Sequence, residues 1–148
     1  MTGAGAAGLT QVIAPGAIDH ANFWVGQVPD RYKTREFFQY NPQNLLMRTN
    51  TDEFQILGQE FAKRLNSAKG PVRILIPLEG FSEHSKRRAC NLNGDDKGPW
   101  KRSDDYMVFV DSLRSNLKSG QIEELPLHIN DNAFADACVD AFIKIAKT

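Results

Sequence analysis

Long apolar runs are absent from this chain of 148 residues. No stretch approaches the roughly 20 apolar residues that span a bilayer, so the sequence does not predict a membrane protein. The first eight residues also lack the basic and apolar regions of a secretion signal. We therefore expect a cytoplasmic protein.

Cysteine is scarce, and neither sign of charge is in excess. Two cysteines, Cys90 and Cys138, are too few for a disulfide framework. Eighteen basic side chains balance eighteen acidic ones, so we expect no long-range attraction to nucleic acid or to an anionic membrane. The histidines His20, His84 and His128 lack paired metal-ligand spacing, and we expect no metal site.

Strand-like and helix-like segments alternate along the chain. The apolar segments typical of buried strands are 9–14 and 72–78, and segment 122–129 is predicted as a third strand. The segments with helical spacing of apolar residues are 54–65, 106–117 and 134–145. This order predicts an α/β fold, with residues 1–148 forming one Rossmann-like, three-layer domain around a small parallel sheet.

The remaining segments are predicted to be connections. Residues 17–23 could form one or two helical turns, 24–48 resemble an irregular lid, and the basic segment 80–102 resembles a loop. Pro126 favours an edge position for the last strand. Three strands make a small sheet. We therefore expect an incomplete half of a two-domain protein that self-associates or packs on a missing N-terminal domain.

The polar residues that follow the predicted strands are the candidate site. Parallel strands place their carboxyl ends at one edge of the sheet, where α/β proteins bind ligands. The segments that fall there are 15–19, 80–82 and 128–131. We therefore expect Asp19, Ser82 and His128 to lie at one edge of one sheet.

Each candidate also has a structural explanation. Asn130 or Asp131 could cap the last helix, and Asp19 could cap the turns after Pro15-Gly16. His128 could be a half-buried histidine with no chemical role. Segment 80–84 lacks the second glycine of a nucleophile elbow, so serine hydrolase chemistry is not expected.

Basic side chains are concentrated after the second predicted strand. They are Lys86, Arg87, Arg88, Lys97, Lys101 and Arg102. They could form a solvated loop or a phosphate-gathering lid above the crevice. Arg48 is a further candidate for holding an anionic ligand.

Several of these segments resemble the tomato mosaic virus resistance protein-like family, whose members are often described as ATP-binding. The similar blocks, in the family's order, are 11–19 with 22–23, 40–42, 46–49, 78–82 and 128–135. Members have two Rossmann-like domains, and this chain resembles only the C-terminal part. The resemblance implies ATP or another nucleotide as the ligand. With the strand-end argument, it gives as candidate ligand-binding residues Pro15, Gly16, Asp19, Asn22, Arg48, Gly80, Ser82, His128, Asn130 and Asp131.

The sequence is compatible with three functions. The leading hypothesis is a module that binds a nucleotide or another phosphate ligand. The second is an enzyme acting on a small anionic metabolite, with Asp19 and His128 as acid–base candidates and Arg48 as the anchor. The third is a truncated remnant that acts through protein contacts.

Overall fold

Two β-sheets organise residues 1–147, which a computed structural model of the chain describes. The strands are β1 (Gln11–Ile13), β2 (His20–Trp24), β3 (Phe37–Gln39), β4 (Asn44–Arg48), β5 (Val72–Pro77), β6 (Arg88–Cys90), β7 (Asp96–Pro99) and β8 (Gln121–Leu125). The α-helices are α1 (Thr2–Ala6), α2 (Thr51–Leu65), α3 (Ser103–Asn116) and α4 (Asn132–Ala146). Short 3-10 helices lie at Asp30–Tyr32 and Glu83–Lys86.

The parallel sheet confirms the predicted α/β architecture. Its order is β1-β5-β8, and β5 pairs in parallel with both neighbours. Alternate residues of β5 face opposite layers. Ile74 and Ile76 pack in the cluster formed with α2 and α3, whereas Leu75 packs with Phe134 and Ala141 of α4. The fold is thus a sheet between two helical layers, with β8 at an edge as Pro126 indicated.

A second, antiparallel sheet corrects the predictions for three connections. Its order is β2-β4-β3-β6-β7. The segments predicted as helical turns, lid and loop (17–23, 24–48 and 80–102) instead contribute these five strands. The strands have three to five residues each, and β3 meets β6 only through Phe37 and Cys90. Strands so short leave too few positions for a periodic pattern to show.

Helix α2 begins with a capping box. The Asn50 side chain accepts a hydrogen bond from the Glu53 backbone N–H at 2.9 Å, and the Glu53 carboxylate accepts one from the Asn50 backbone N–H at 2.9 Å. This reciprocal pair satisfies two N–H groups that the first helical turn would otherwise leave open. Helix α3 has Arg102 as its N-cap residue, and the Arg102 side chain makes no capping hydrogen bond.

Gly58 lies where α2 crosses α3, and this crossing leads to a stability prediction. A Cβ atom at Gly58 would lie 2.7 Å from the Phe109 carbonyl oxygen and 2.8 Å from the Leu113 backbone nitrogen. We expect Gly58→Ala to lower the free energy of unfolding by about 1–3 kcal/mol, because the helices must separate. That loss exceeds the roughly 1 kcal/mol that alanine contributes through helix propensity. Urea unfolding would measure the change.

The matched control is Gln59→Ala at the exposed neighbouring position. It should change the free energy of unfolding by less than about 0.5 kcal/mol. A Gly58→Ala variant as stable as the parent would show that the crossing has room for a methyl group.

Helix α4 buries a narrower strip than its sequence predicted. Phe134 and Ala141 are buried, but Phe142, an apolar residue of the predicted helical segment 134–145, is 46% exposed. The reason is that α4 packs mainly over β5 and β1 of a sheet only three strands wide. Among residues 1–147, no helix combines the length and the apolar character needed to cross a membrane.

Candidate functional site

The buried carboxylate of Asp19 is the centre of the candidate site. Asp19 is 2% exposed, and its Oδ2 accepts hydrogen bonds from Ser82 Oγ at 2.8 Å and Trp100 Nε1 at 3.1 Å. The Tyr106 hydroxyl donates to the same oxygen at 3.5 Å. On the other side, Oδ1 lies 3.0 Å from His20 Nδ1. Three side chains from distant parts of the sequence, together with the adjacent His20, therefore converge on one carboxyl group.

These contacts keep Asp19 ionised. Burial alone would raise the pKa of its carboxyl group, but the hydrogen bonds from His20 and Ser82, the positive charge of His20 when its ring is protonated, and the Trp100 indole N–H outweigh burial. The pKa of Asp19 consequently lies below its usual value of 3.8. Burial and the Asp19 charge together raise the pKa of Tyr106 to about 12, so its hydroxyl remains a donor.

The connection between β1 and β2, which carries Asp19, has a strained backbone at Ala17. Ala17 has φ of 53°, a left-handed conformation that is uncommon for residues other than glycine. Its N–H donates to the Phe81 carbonyl at 2.7 Å, and the Thr49 N–H donates to the Asp19 carbonyl at 3.0 Å. Such strain is tolerated where surrounding contacts enforce it, and it occurs often at functional sites.

Ser82 joins Asp19 to the end of β8. The Ser82 carbonyl accepts a hydrogen bond from His128 Nε2 at 2.9 Å, and His128 Nδ1 accepts one from the Asn130 N–H at 3.1 Å. This pattern places the imidazole proton on Nε2 and occupies both ring nitrogens. The structure thus brings Asp19, Ser82 and His128 to one edge of the parallel sheet, but it leaves His128 without a free nitrogen for proton transfer.

Gly80 and Asp131 fix the position of His128. Gly80 forms a parallel bridge with His128, and a Cβ atom at Gly80 would lie 2.4 Å from His128 Cδ2. Asp131 occupies the N-cap position of α4, but its carboxylate accepts a hydrogen bond from the His128 N–H at 2.8 Å and none from the helix. The Asp131 side chain therefore stabilises the turn that begins at His128 and does not cap α4.

Arg48, the candidate anchor for an anionic ligand, is held in a buried ion pair. Its side chain is 5% exposed and pairs with the Asp105 carboxylate. Arg48 Nε also donates to the Trp100 carbonyl at 2.7 Å. Burial opposes ionisation of Asp105, but hydrogen bonds from Arg48 and Thr51 hold its pKa below the usual value. Arg48 thus connects β4 to α3.

The remaining candidates from the sequence lie around this cluster or away from it. Pro15 is buried, and exposed Gly16 lies beside Ile129, whose Cδ1 would be 3.2 Å from an added Cβ atom. Asn22 is exposed in β2, opposite Leu46 of the antiparallel sheet, and no hydrogen bond joins it to the cluster. Within residues 1–147, no three His, Cys, Asp or Glu side chains group closely enough to hold a metal ion.

Two cavities adjoin the cluster. The first, which we call the His20 pocket, has a volume of about 440 Å³ and is lined by Ala17, Ile18, His20, Ala21, Met47, Thr49, Glu53, Ile56 and Leu57. The second, which we call the basic crevice, has a volume of about 420 Å³ and is lined by Glu83, Lys86, Arg87, His128 and Asn130. Each contains a histidine that is hydrogen-bonded to the Asp19–Ser82 pair.

Sequence reasoning did not identify His20 and His84 as members of the site. The His84 ring centroid lies 5.2 Å from that of His20 and 5.5 Å from that of Tyr40, and its Nδ1 is buried without a hydrogen-bond partner. Burial, and then the nearby His20, lower the pKa of His84 below its usual value of 6.5. The adjacency of Asp19 and His20 after a strand was the one local signal that could have indicated the pair.

Comparison with known proteins gives the family. The model of the C-terminal domain of uncharacterised protein family UPF0261 matches residues 1–146. A UPF0261 protein of Mesorhizobium japonicum is 38% identical over 144 residues, covering 95% of this chain and 34% of that relative. A UPF0261 protein of Clostridium tetani is 30% identical over 141 residues, covering 93% of this chain and 33% of that relative.

The tomato resemblance is real but more distant. The ToMV resistance protein Tm-1(GCR237) of Solanum lycopersicum is 31% identical over 136 residues, which cover 91% of this chain and 17% of that protein. The chain spans about a third of the length of the bacterial relatives. Because the UPF0261 model matches nearly the whole chain, it is the better-supported assignment. The chain therefore belongs to uncharacterised protein family UPF0261 and corresponds to its C-terminal domain.

Proposed function

We propose that this domain binds a small ligand through its phosphate groups, and that the basic crevice is the binding site. The observation that carries the proposal is the pair of cations in the crevice. Within residues 1–147, neither Lys86 nor Arg87 forms an ion pair, although both line the cavity. Together they outnumber Glu83, the one carboxylate in the lining.

The place of the crevice in the fold supports an anionic ligand. Its residues follow β5 and β8, at the carboxyl edge of the parallel sheet where α/β proteins commonly bind ligands. The crevice also lies next to the start of α4, because Asn130 precedes that helix by two residues. The first N–H groups of a helix lack intrahelical partners, and its dipole favours negative charge there.

Arg87 is oriented for this role by an aromatic ring. Its guanidinium carbon lies 5.8 Å from the Phe38 ring centroid, a distance typical of a cation–π contact. Arginine can donate two parallel hydrogen bonds to a phosphate group, whereas Lys86 supplies a mobile point charge. The phosphate could belong to a nucleotide or to a smaller metabolite, since both present the same oxygens.

Titration of the purified protein with ATP, ADP and inorganic phosphate tests this proposal. We expect weak binding at low ionic strength, which weakens as salt screens the cations. Lys86→Ala and Arg87→Ala should each reduce affinity about fivefold to tenfold, corresponding to about 1–1.4 kcal/mol. Adenosine, which lacks phosphate, should not bind at the same concentrations. Calorimetry would measure the affinities for ATP, ADP and inorganic phosphate.

Lys97→Ala is the matched control for this experiment. Lys97 is an exposed cation of the same basic segment, but it lies in β7 and outside the crevice. Its removal should leave the affinities unchanged. The proposal is wrong if no phosphate compound binds at millimolar concentration, or if Lys97→Ala weakens binding as much as Lys86→Ala. Tighter binding of ATP than of phosphate would indicate a nucleotide.

A further inference from the structure

His20 has the orientation of a general base, because Asp19 determines its tautomer. The Asp19 carboxylate is ionised and accepts only, so the ring nitrogen 3.0 Å away, Nδ1, must carry the proton. The lone pair of the neutral ring is then on Nε2. A buried aspartate that holds a histidine in this way is the arrangement by which serine hydrolases orient their base.

The Nε2 atom of His20 is free to meet a ligand. Within residues 1–147 it makes no hydrogen bond, and it is not among the buried polar atoms that lack a partner. The side chain is 12% exposed and lines the His20 pocket. The pocket therefore gives access to a nitrogen that can accept a proton.

The other polar groups of the pocket are already engaged. Thr49 Oγ1 donates to the Ile18 carbonyl at 2.8 Å. The Glu53 carboxylate accepts two hydrogen bonds from Arg35, at 3.0 and 2.6 Å. The rest of the lining is apolar: Ala17, Ile18, Ala21, Met47, Ile56 and Leu57. An occupant would thus contact an apolar wall and one uncommitted polar side chain, His20.

We propose that the His20 pocket is a second, separate site, which binds a small and largely apolar molecule with a weakly acidic proton. His20 is its catalytic base and Asp19 its positioning residue. In the proposed step a bond from the substrate to hydrogen breaks, a bond from Nε2 to hydrogen forms, and the electron pair stays on the substrate. Return of the proton to another atom of the same molecule gives an isomer, so no oxidant or reductant is needed.

Alkylation by phenacyl bromide tests the proposal on the intact chain. This reagent is small, apolar and electrophilic; a ring nitrogen forms a bond to its CH₂ carbon while bromide leaves with the bonding pair. We expect mass spectrometry to find His20 modified at least tenfold faster than His84 or His128. Nitrogen NMR should show the proton of the neutral His20 ring on Nδ1.

Two tryptophan variants separate pocket binding from general reactivity. Ile56 lines the pocket from the exposed side of α2, so Ile56→Trp should fill the mouth and slow His20 alkylation at least tenfold. Gln59→Trp places the same side chain on α2 outside the pocket and should leave the rate unchanged. Circular dichroism would show that both variants fold.

Asp19→Asn tests the positioning role through a signature that loss of packing would not mimic. If this variant folds, the Nδ1–H preference of His20 should be lost. The proposal is overturned if His20 reacts no faster than His84, if Ile56→Trp leaves its rate unchanged, or if the parent protein carries the proton on Nε2. Lys86→Ala should not affect alkylation, so failure here is distinguishable from failure of phosphate binding in the basic crevice.

Discussion

Replacing Arg48 with methionine is expected to lower the free energy of unfolding by about 3–5 kcal/mol, the typical effect of breaking a buried ion pair from one side. The substitution leaves the Asp105 carboxylate, which is 11% exposed, with Thr51 as its remaining close donor. It also leaves the Trp100 carbonyl without the hydrogen bond from Arg48 Nε. Chemical denaturation of both proteins would measure the loss.

Two comparisons show whether the loss comes from the unpaired charge. Arg114 pairs with Asp111 and Glu124 at the surface and is 50% exposed, so Arg114→Met should cost less than about 1 kcal/mol. The double variant Arg48→Met, Asp105→Leu should recover part of the loss, because it removes both charges together. If the double variant is no more stable than Arg48→Met, the unpaired carboxylate is not the cause.

The parallel sheet was predictable because its signals are local. The strands β1 and β5 lie within short apolar runs, and each of the long helices has its own apolar periodicity. The pairing of β1 with β5 begins at Gln11 and Val72. The pairing of β5 with β8 begins at Arg73 and Gln121. Local composition and tertiary structure agree in this half of the molecule.

The antiparallel sheet was not predictable from such signals. Its longest strands have five residues, and its pairing brings Phe37 to Cys90 across a long stretch of chain. Residues 20–23 of β2 also lie in the segment 17–23, for which helical turns were predicted. Only the pairing of β2 with β4 makes that segment a strand.

The candidate site was also predictable only in part. The positions of Asp19, Ser82 and His128 after strands indicated one edge of the sheet, and the structure places them there. Trp100 could not be foreseen as a partner of Asp19, since 81 positions separate them. The sequence also does not show that Arg48, at the end of β4, pairs with Asp105 of α3.

The Asp19→Asn variant is expected to lower the free energy of unfolding by about 2–3 kcal/mol near neutral pH, in the range for losing hydrogen bonds to a buried charged group. Asp19 accepts from Ser82, Trp100 and His20, all donors. The amide of asparagine has one acceptor oxygen, so its NH₂ group must face at least one of these donors. Urea unfolding near pH 7 would measure the change.

Acid should remove this difference between the two proteins. The folded pKa of Asp19 is below the usual 3.8, so the contribution of its charge is complete above that value and is lost as pH falls through the lowered pKa. The gap in stability between the parent and Asp19→Asn should therefore shrink as pH falls below the usual value of 3.8 and through the lowered pKa of Asp19. Asp140→Asn, at an exposed position of α4, is the control and should match the parent at both pH values. A gap that stays constant with pH would mean that the shape of the asparagine, and not the missing charge, causes the destabilisation. In that case Asp19 would not act as the ionised partner that orients His20.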